Sequence, residues 1–153
     1  MIKISLTLGN QNFLLNIILF LIVINALISF YLYLSELENQ PLICLPYNGC
    51  TEVLRSEFSK IYGLSISLLG FIYFIFLFLL TLIAFVNKDF ISAGLIFSFL
   101  GFIFSIYLIY LQFKIIKNYC FYCLIVDFNT IIIFALYFLY LIKMILNTKI
   151  KQF

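Results

Sequence analysis

The chain has 153 residues, 66% of them hydrophobic and only 10% charged, and its mean hydropathy of +1.23 lies far outside the range of soluble domains. It contains no histidine, so His-based acid–base catalysis, catalytic triads and most zinc sites drop out together. The net charge of +3 comes from scattered lysines with no basic stripe, which excludes a nucleic-acid surface and leaves four cysteines as the conspicuous chemistry.

Residues 13–34 form the first of four apolar stretches that satisfy the length of about 20 residues needed to cross a bilayer as a helix. This one exceeds the roughly 7–15-residue apolar region of a secretory signal and carries Asn16 and Asn25, so a retained membrane helix is expected. The polar segment 35–63 follows. In it Cys44 and Cys50 bracket Leu-Pro-Tyr-Asn-Gly, whose proline and Asn-Gly pair favour a turn that brings the two sulfurs together. Taken alone, this pair fits either a structural staple on an exterior loop or one half of a thiol-exchange system. Beyond Cys50, the residues Val53, Leu54, Phe58, Ile61 and Tyr62 recur near helical spacing, while Glu52, Arg55, Glu57 and Lys60 take the other side. A short amphipathic helix in the membrane interface is expected there, as a lid over the mouth of the bundle; an ordinary connector with one amphipathic turn is the alternative.

The second apolar stretch, 64–86, ends at Asn87-Lys88-Asp89, a tight turn into the third, 90–113. A short connection, 114–119, then leads to Cys120-Phe-Tyr-Cys123 at the head of the fourth, 121–146. The stretches are apolar on every side without a period of two, which rules out barrel strands. The expected fold class is therefore an all-α membrane protein, a four-transmembrane-helix bundle forming a single domain over 1–153, with the external loop and interfacial helix between helices 1 and 2. In such a bundle the first and third connections lie on one side, so all four cysteines share a compartment. The opposite side carries Lys3, Lys88, Lys143, Lys149 and Lys151, against Arg55, Lys60, Lys114 and Lys117 on the cysteine side, and this small excess points both termini to the cytosol. The cysteines then face outward, where disulfides persist.

Cys120 and Cys123 stand at i and i+3, on one helix face, so their sulfurs can reach bonding distance. A helix N-terminus stabilises thiolate there, which is the arrangement of a redox dithiol. Zinc is its usual rival, disfavoured here by the absence of histidine and of a second CxxC. Asp127 follows at i+4 from Cys123, and an ionisable group inside a membrane helix is a functional candidate by default. Two readings of it stand: a buried proton carrier toward a reduced acceptor, or a shallow, ionised side chain paired with Lys114 or Lys117. Phe71 and Phe74, with Tyr73, Phe102 and Tyr107, are candidates to line an apolar pocket, ordinary helix packing being the competing explanation. Asn129 is expected to satisfy interhelical contacts.

Cys44 and Cys50 with five residues between them, Val53-Leu54, Ser56, Gly63, Ser-Leu-Leu-Gly at 67–70 and Cys120-Phe-Tyr-Cys123 together resemble the vitamin K epoxide reductase (VKOR) family, over about residues 13–146. The order of the two pairs separates the chain from DsbB-type quinone reductases, in which the CxxC pair comes first. The resemblance, to bacterial-type members, implies a thiol:quinone oxidoreductase of the bacterial inner (plasma) membrane. It would reoxidise a periplasmic thioredoxin-fold, DsbA-like protein and pass the electrons to a quinone such as ubiquinone, menaquinone or a relative. The chain ends at Phe153 without a fused thioredoxin domain, so the partner is expected to be a separate protein. By the same resemblance Cys44 is the sulfur first attacked by the partner, Cys50 is its mobile mate that exchanges with Cys120, and Cys123 faces the quinone. Ser56 matches a family position and joins Asp127, Phe71 and Phe74 as a candidate for quinone binding or proton transfer. Family members often carry a small hydroxyl residue shortly after the second CxxC cysteine; this chain has Val126 and Asp127. Two alternatives remain, a vitamin K quinone or epoxide reductase and a non-catalytic membrane protein with structural disulfides.

Overall fold

With no water in the bilayer core to pair backbone N–H and C=O groups, an apolar chain that crosses it must satisfy them within itself. The computed structural model describes the backbone of residues 2–38, 49–61 and 63–152, and the side chains of 13–38, 49–56, 58–61 and 63–148. It contains α1 (Ile2–Leu37), the short α2 (Gly49–Arg55), α3 (Ile66–Val86), α4 (Phe90–Tyr110) and α5 (Phe121–Gln152). Four segments are long and apolar enough to cross a membrane: Phe13–Leu37, Ile66–Val86, Phe90–Ile116 and Phe121–Thr148. The protein is thus an all-α integral membrane protein, and the four expected spans stand within a few residues of their expected limits. Around the bundle α1 packs on α3 and α5, and α4 packs on α5 and α3.

The segment after Cys50 differs in detail from the single amphipathic helix expected there. Helix α2 ends at Arg55 because Ser56 leaves the helical region, at φ −65° and ψ 154°, and its Oγ donates to the Val53 carbonyl at 2.7 Å. Ser59 Oγ donates in turn to the Ser56 carbonyl at 2.8 Å, which closes a 3₁₀ turn over Glu57–Ser59. A two-stranded antiparallel hairpin follows, β1 (Lys60–Ile61) with β2 (Leu64–Ser65), turning at Gly63 with φ 83°. Serine hydroxyls that bond the local backbone compete with helix continuation, so an amphipathic period alone overestimates the length of this helix. Ser65 then caps α3, its Oγ accepting from Ser67 N at 3.2 Å and donating to the Glu36 carboxylate. This ties the end of α1 to the start of α3.

The other connections follow the sequence. Asn87-Lys88-Asp89 forms the tight turn between α3 and α4, with Phe90 N donating to Asn87 O and Ile91 N to Lys88 O. At its far end α4 widens into a π-helical turn over Leu111–Ile116, stopped by Lys117 in the left-handed conformation (φ 57°, ψ 20°).

The core divides along the bundle. Leu15, Ile18, Ile22, Leu77, Ala84, Ile91, Ile133, Tyr137 and Tyr140 make the apolar cluster toward one end. A smaller cluster of Leu32, Cys50, Leu54 and Cys120 lies at the other. The exposed faces carry large apolar side chains, such as Phe20, Leu79, Val86, Ile96 and Leu139, as a lipid-facing surface requires.

Candidate functional site

Cys120 is the N-cap residue of α5. Its carbonyl accepts Leu124 N at 3.0 Å, and its Sγ accepts Cys123 N at 3.3 Å. In a typical cap a side-chain oxygen fills this role; here a sulfur does, so the geometry that starts the helix also holds the sulfur of Cys120 over the first turn. Both Cys120 and Cys123 are free thiols, the first buried and the second partly exposed. The Cys120 thiol is held below its ordinary range, chiefly by hydrogen bonding to the Cys123 thiol. The backbone N–H groups of Cys123 and Tyr122 add to this, and burial and the nearby Asp127 oppose it.

Cys50 is fully buried, disulfide-bonded, and packed in the same cluster as Cys120, with Leu32, Leu54 and the partly buried Cys123 around them. Cys44 lies outside the described residues. Two features seat α2 on the segment that leads into Cys120. Gly49 approaches the backbone of Tyr119 so closely that a Cβ on it would lie 2.7 Å from the Tyr119 carbonyl oxygen. Glu52 accepts a hydrogen bond from the side-chain amide of Asn118. The Asn-Gly pair read as a turn signal thus contains a glycine with a different task, the close approach of two backbones.

Beside Cys123 a pocket enclosing about 450 Å³ of free space, its open mouth included, lies between α2, the 3₁₀ turn after it, the start of α3 and the far end of α4. Its walls are mainly apolar, from Val53, Leu54, Phe58, Leu108 and Ile116, with Ser56, Ser59, Ser67 and Gln112 as the polar members. Apolar walls with a few polar groups are the usual lining of small-molecule sites. A family model for the vitamin K epoxide reductase family matches residues 16–138. The chain belongs to the vitamin K epoxide reductase family. A search of curated proteins finds no match. Membership makes the protein a membrane oxidoreductase of the thiol–disulfide and quinone kind, in a family that is generally quinone-linked.

The residues singled out in the sequence fall into three groups. Cys50, Cys120, Cys123 and Ser56 meet at the mouth, Ser56 as part of the pocket wall. Asp127 is 3% exposed on α5, its Oδ2 has no hydrogen-bond partner, and Ser105 of α4 is the donor facing its carboxylate. Lys114 and Lys117 are exposed, so the shallow, lysine-paired aspartate is not what the structure contains. Phe71 packs against Phe30 with the rings tilted and Phe74 is buried in the apolar core, as helix packing would have it; neither lines the pocket next to Cys123. Asn129 does bridge helices, its Nδ2 donating to Asn25 Oδ1 at 3.1 Å.

Sequence reasoning missed Gln112. This buried glutamine of α4 accepts the backbone N–H of Cys120 on its Oε1 at 3.0 Å and lines the pocket. The signal was present: Ser98, Ser105 and Gln112 recur every seven residues along an otherwise apolar span, which marks one inward stripe.

Proposed function

We propose that the protein is a thiol:quinone oxidoreductase that reoxidises a separate thioredoxin-fold, DsbA-like partner through Cys44, Cys50, Cys120 and Cys123. The observation that carries the reading is the packing of Cys50 against Cys120 in one buried cluster, with Cys123 on the wall of an apolar pocket. A dithiol donor attacks the Cys44–Cys50 disulfide at Cys44, and resolution leaves the donor oxidised and Cys44 and Cys50 as thiols. The Cys50 thiolate then attacks the Cys120 sulfur of a Cys120–Cys123 disulfide. Cys44 resolves the Cys50–Cys120 bridge, the outer disulfide is restored, and two electrons and two protons now reside on Cys120 and Cys123. The depressed pKa of Cys120 makes it a good leaving and a good attacking group at neutral pH.

Closing the cycle requires Cys120 and Cys123 to lose both electrons and both protons. A quinone bound beside Cys123 would supply a lipid-soluble two-electron, two-proton sink, and the apolar lining of the pocket supports this reading. The protein's own part is to hold Cys123 at the pocket, exclude water, and provide a proton acceptor. Asp127 is assigned that last role because its Oδ2 is buried without a partner one helical turn beyond Cys123. Energetically a DsbA-type donor near −120 mV needs an acceptor more oxidising than glutathione. The cysteine end then faces the periplasm or exterior and both termini the cytosol.

The test is quinone reduction by purified protein in lipid, driven by a reduced DsbA-like donor, with each cysteine replaced by alanine in turn. Turnover lost in all four variants supports the relay. Turnover that survives replacement of Cys120 or Cys123, or no turnover by folded wild type, would return the cysteines to a structural role. Thiol labelling in intact cells with an impermeant reagent tests the orientation.

A further inference from the structure

A glutamine amide on a membrane helix needs partners for its oxygen and for its nitrogen, from protein, ligand or pocket water. Gln112 is 3% exposed, on the stripe of α4 that also carries Ser105 opposite Asp127. It sits where α4 widens into the π-helical turn, a feature often found at functional sites. Its Oε1 accepts Cys120 N–H at 3.0 Å. A backbone N–H can only donate, so the amide oxygen must face Cys120 and the amide orientation is fixed. The Nε2 group, with two N–H donors, donates to none of the described residues, and Gln112 forms part of the pocket wall. Of the other hydroxyls on that wall, Ser56 Oγ donates to Val53 O and Ser59 Oγ to Ser56 O, and Ser67 is the third.

We infer that Gln112 couples the inner cysteine pair to the electron acceptor: Oε1 positions Cys120 through its backbone N–H, and Nε2 donates to a ring carbonyl oxygen of a quinone-type molecule held beside Cys123. The inference rests on the quinone reading above and adds the residue that recognises the carbonyl. Such a donor is worth more as negative charge develops on that oxygen than in the resting complex, so it binds the acceptor and favours its reduction together. Because one side chain serves both ends, filling the pocket also braces the first turn of α5.

The test compares two ligands of the same shape, duroquinone and durene (1,2,4,5-tetramethylbenzene), which differ in the two carbonyl oxygens. Binding is measured at equilibrium on the full chain in lipid nanodiscs, in a Cys123→Ser background that blocks turnover. With Gln112 present, duroquinone should bind about five- to tenfold tighter than durene, the range of one neutral hydrogen bond. In Gln112→Met that preference should vanish while durene binds unchanged. Amide hydrogen exchange at Cys120 should also quicken in Gln112→Met, since its acceptor is gone. A preference that survives Gln112→Met, or is absent with Gln112 in place, overturns the inference. Equal weakening of both ligands overturns it too, because that is the mark of a collapsed pocket. Binding of neither ligand to folded wild type would defeat the quinone reading itself, whereas wild-type turnover with an unmoved ligand preference would defeat only the role of Gln112.

Discussion

Gly49→Ala isolates the contact between α2 and the segment leading into Cys120. The new Cβ would lie 2.7 Å from the Tyr119 carbonyl oxygen and 3.2 Å from its nitrogen, both backbone atoms that no rotamer change can clear. Ordinary contact begins near 3.4 Å, so α2 has to lift by about 0.7 Å, and Cys50 lifts with it. If the clash is absorbed as strain, overpacking of this kind destabilises by about 1–3 kcal/mol. If it is absorbed by displacement, misplacement of reacting groups by about 1 Å costs up to about 10²-fold in rate, so a slowing of at least tenfold is expected for exchange between Cys50 and Cys120. The assay is a single-turnover experiment: reduced donor is mixed with fully oxidised protein, thiols are trapped by alkylation at intervals, and the appearance of label on Cys44 and on Cys120 is followed separately. Gly49→Ala should leave the first step near the wild-type rate and delay the second. Arrival of electrons at Cys120 at the wild-type rate, in protein of unchanged melting temperature, would refute the claim that this contact sets the approach of the two pairs.

Asp127→Asn should slow quinone reduction by roughly 10²-fold, as for loss of an acid–base group, while donor oxidation in a single turnover stays normal. Alkylation of Cys120 in the reduced protein should stay fast to a lower pH than for an ordinary thiol, because its pKa is depressed. Cys123→Ala removes the largest source of that depression, so the profile should move up in pH; an unmoved profile would contradict the thiol–thiol hydrogen bond. Gly101→Ala would drive a Cβ against the Tyr73 hydroxyl, which donates to the Phe97 carbonyl at 3.0 Å. A loss of about 1–3 kcal/mol is expected from overpacking and the broken bond, read as a lowered melting temperature with Cys120 reactivity intact.

The long elements were legible because their cause is local. A run of some twenty apolar residues has one way to satisfy its backbone in lipid, and the Asn87-Lys88-Asp89 interruption has too few residues to do anything but turn. The Cys120–Cys123 pair was legible for the same reason, since i and i+3 at a helix start fix their relative position. What was not legible depended on partners far away in sequence. The depth of Asp127 follows from α4 covering it with Ser105, and the task of Gly49 follows from where Tyr119 runs. Phe71 and Phe74 were pocket candidates because aromatic type says nothing about direction; Phe74 belongs to the apolar core and does not line the pocket. The hairpin at 60–65 escaped because its short strands share their apolar residues with the amphipathic period of α2, and only the Ser56 hydroxyl and the positive φ of Gly63 decide between them.

The distribution of buried polar groups argues that one end of this bundle was built for stability and the other for chemistry. Toward the end away from the cysteines, buried polar atoms are paired within the fold: Thr81 Oγ1 donates to Leu77 O at 2.7 Å and meets Tyr137 Oη at 2.6 Å, and Ser98 Oγ donates to Leu95 O. Such groups cost little, because each finds its partner in the same or the facing helix. Midway, Asn25 collects Val126 O, Thr130 Oγ1 and Asn129 Nδ2 into one α1–α5 network, which fixes the register of the helix that carries Cys123. Among the described residues one buried side-chain atom has no hydrogen-bond partner, the Asp127 Oδ2, which stands at the level of that network, between Val126 and Asn129 on α5. Leaving a buried polar atom unpaired costs about 1–3 kcal/mol, a penalty that packing alone would remove by an apolar substitution. That atom lies one helical turn beyond Cys123, and a transferred proton is the partner that would complete it.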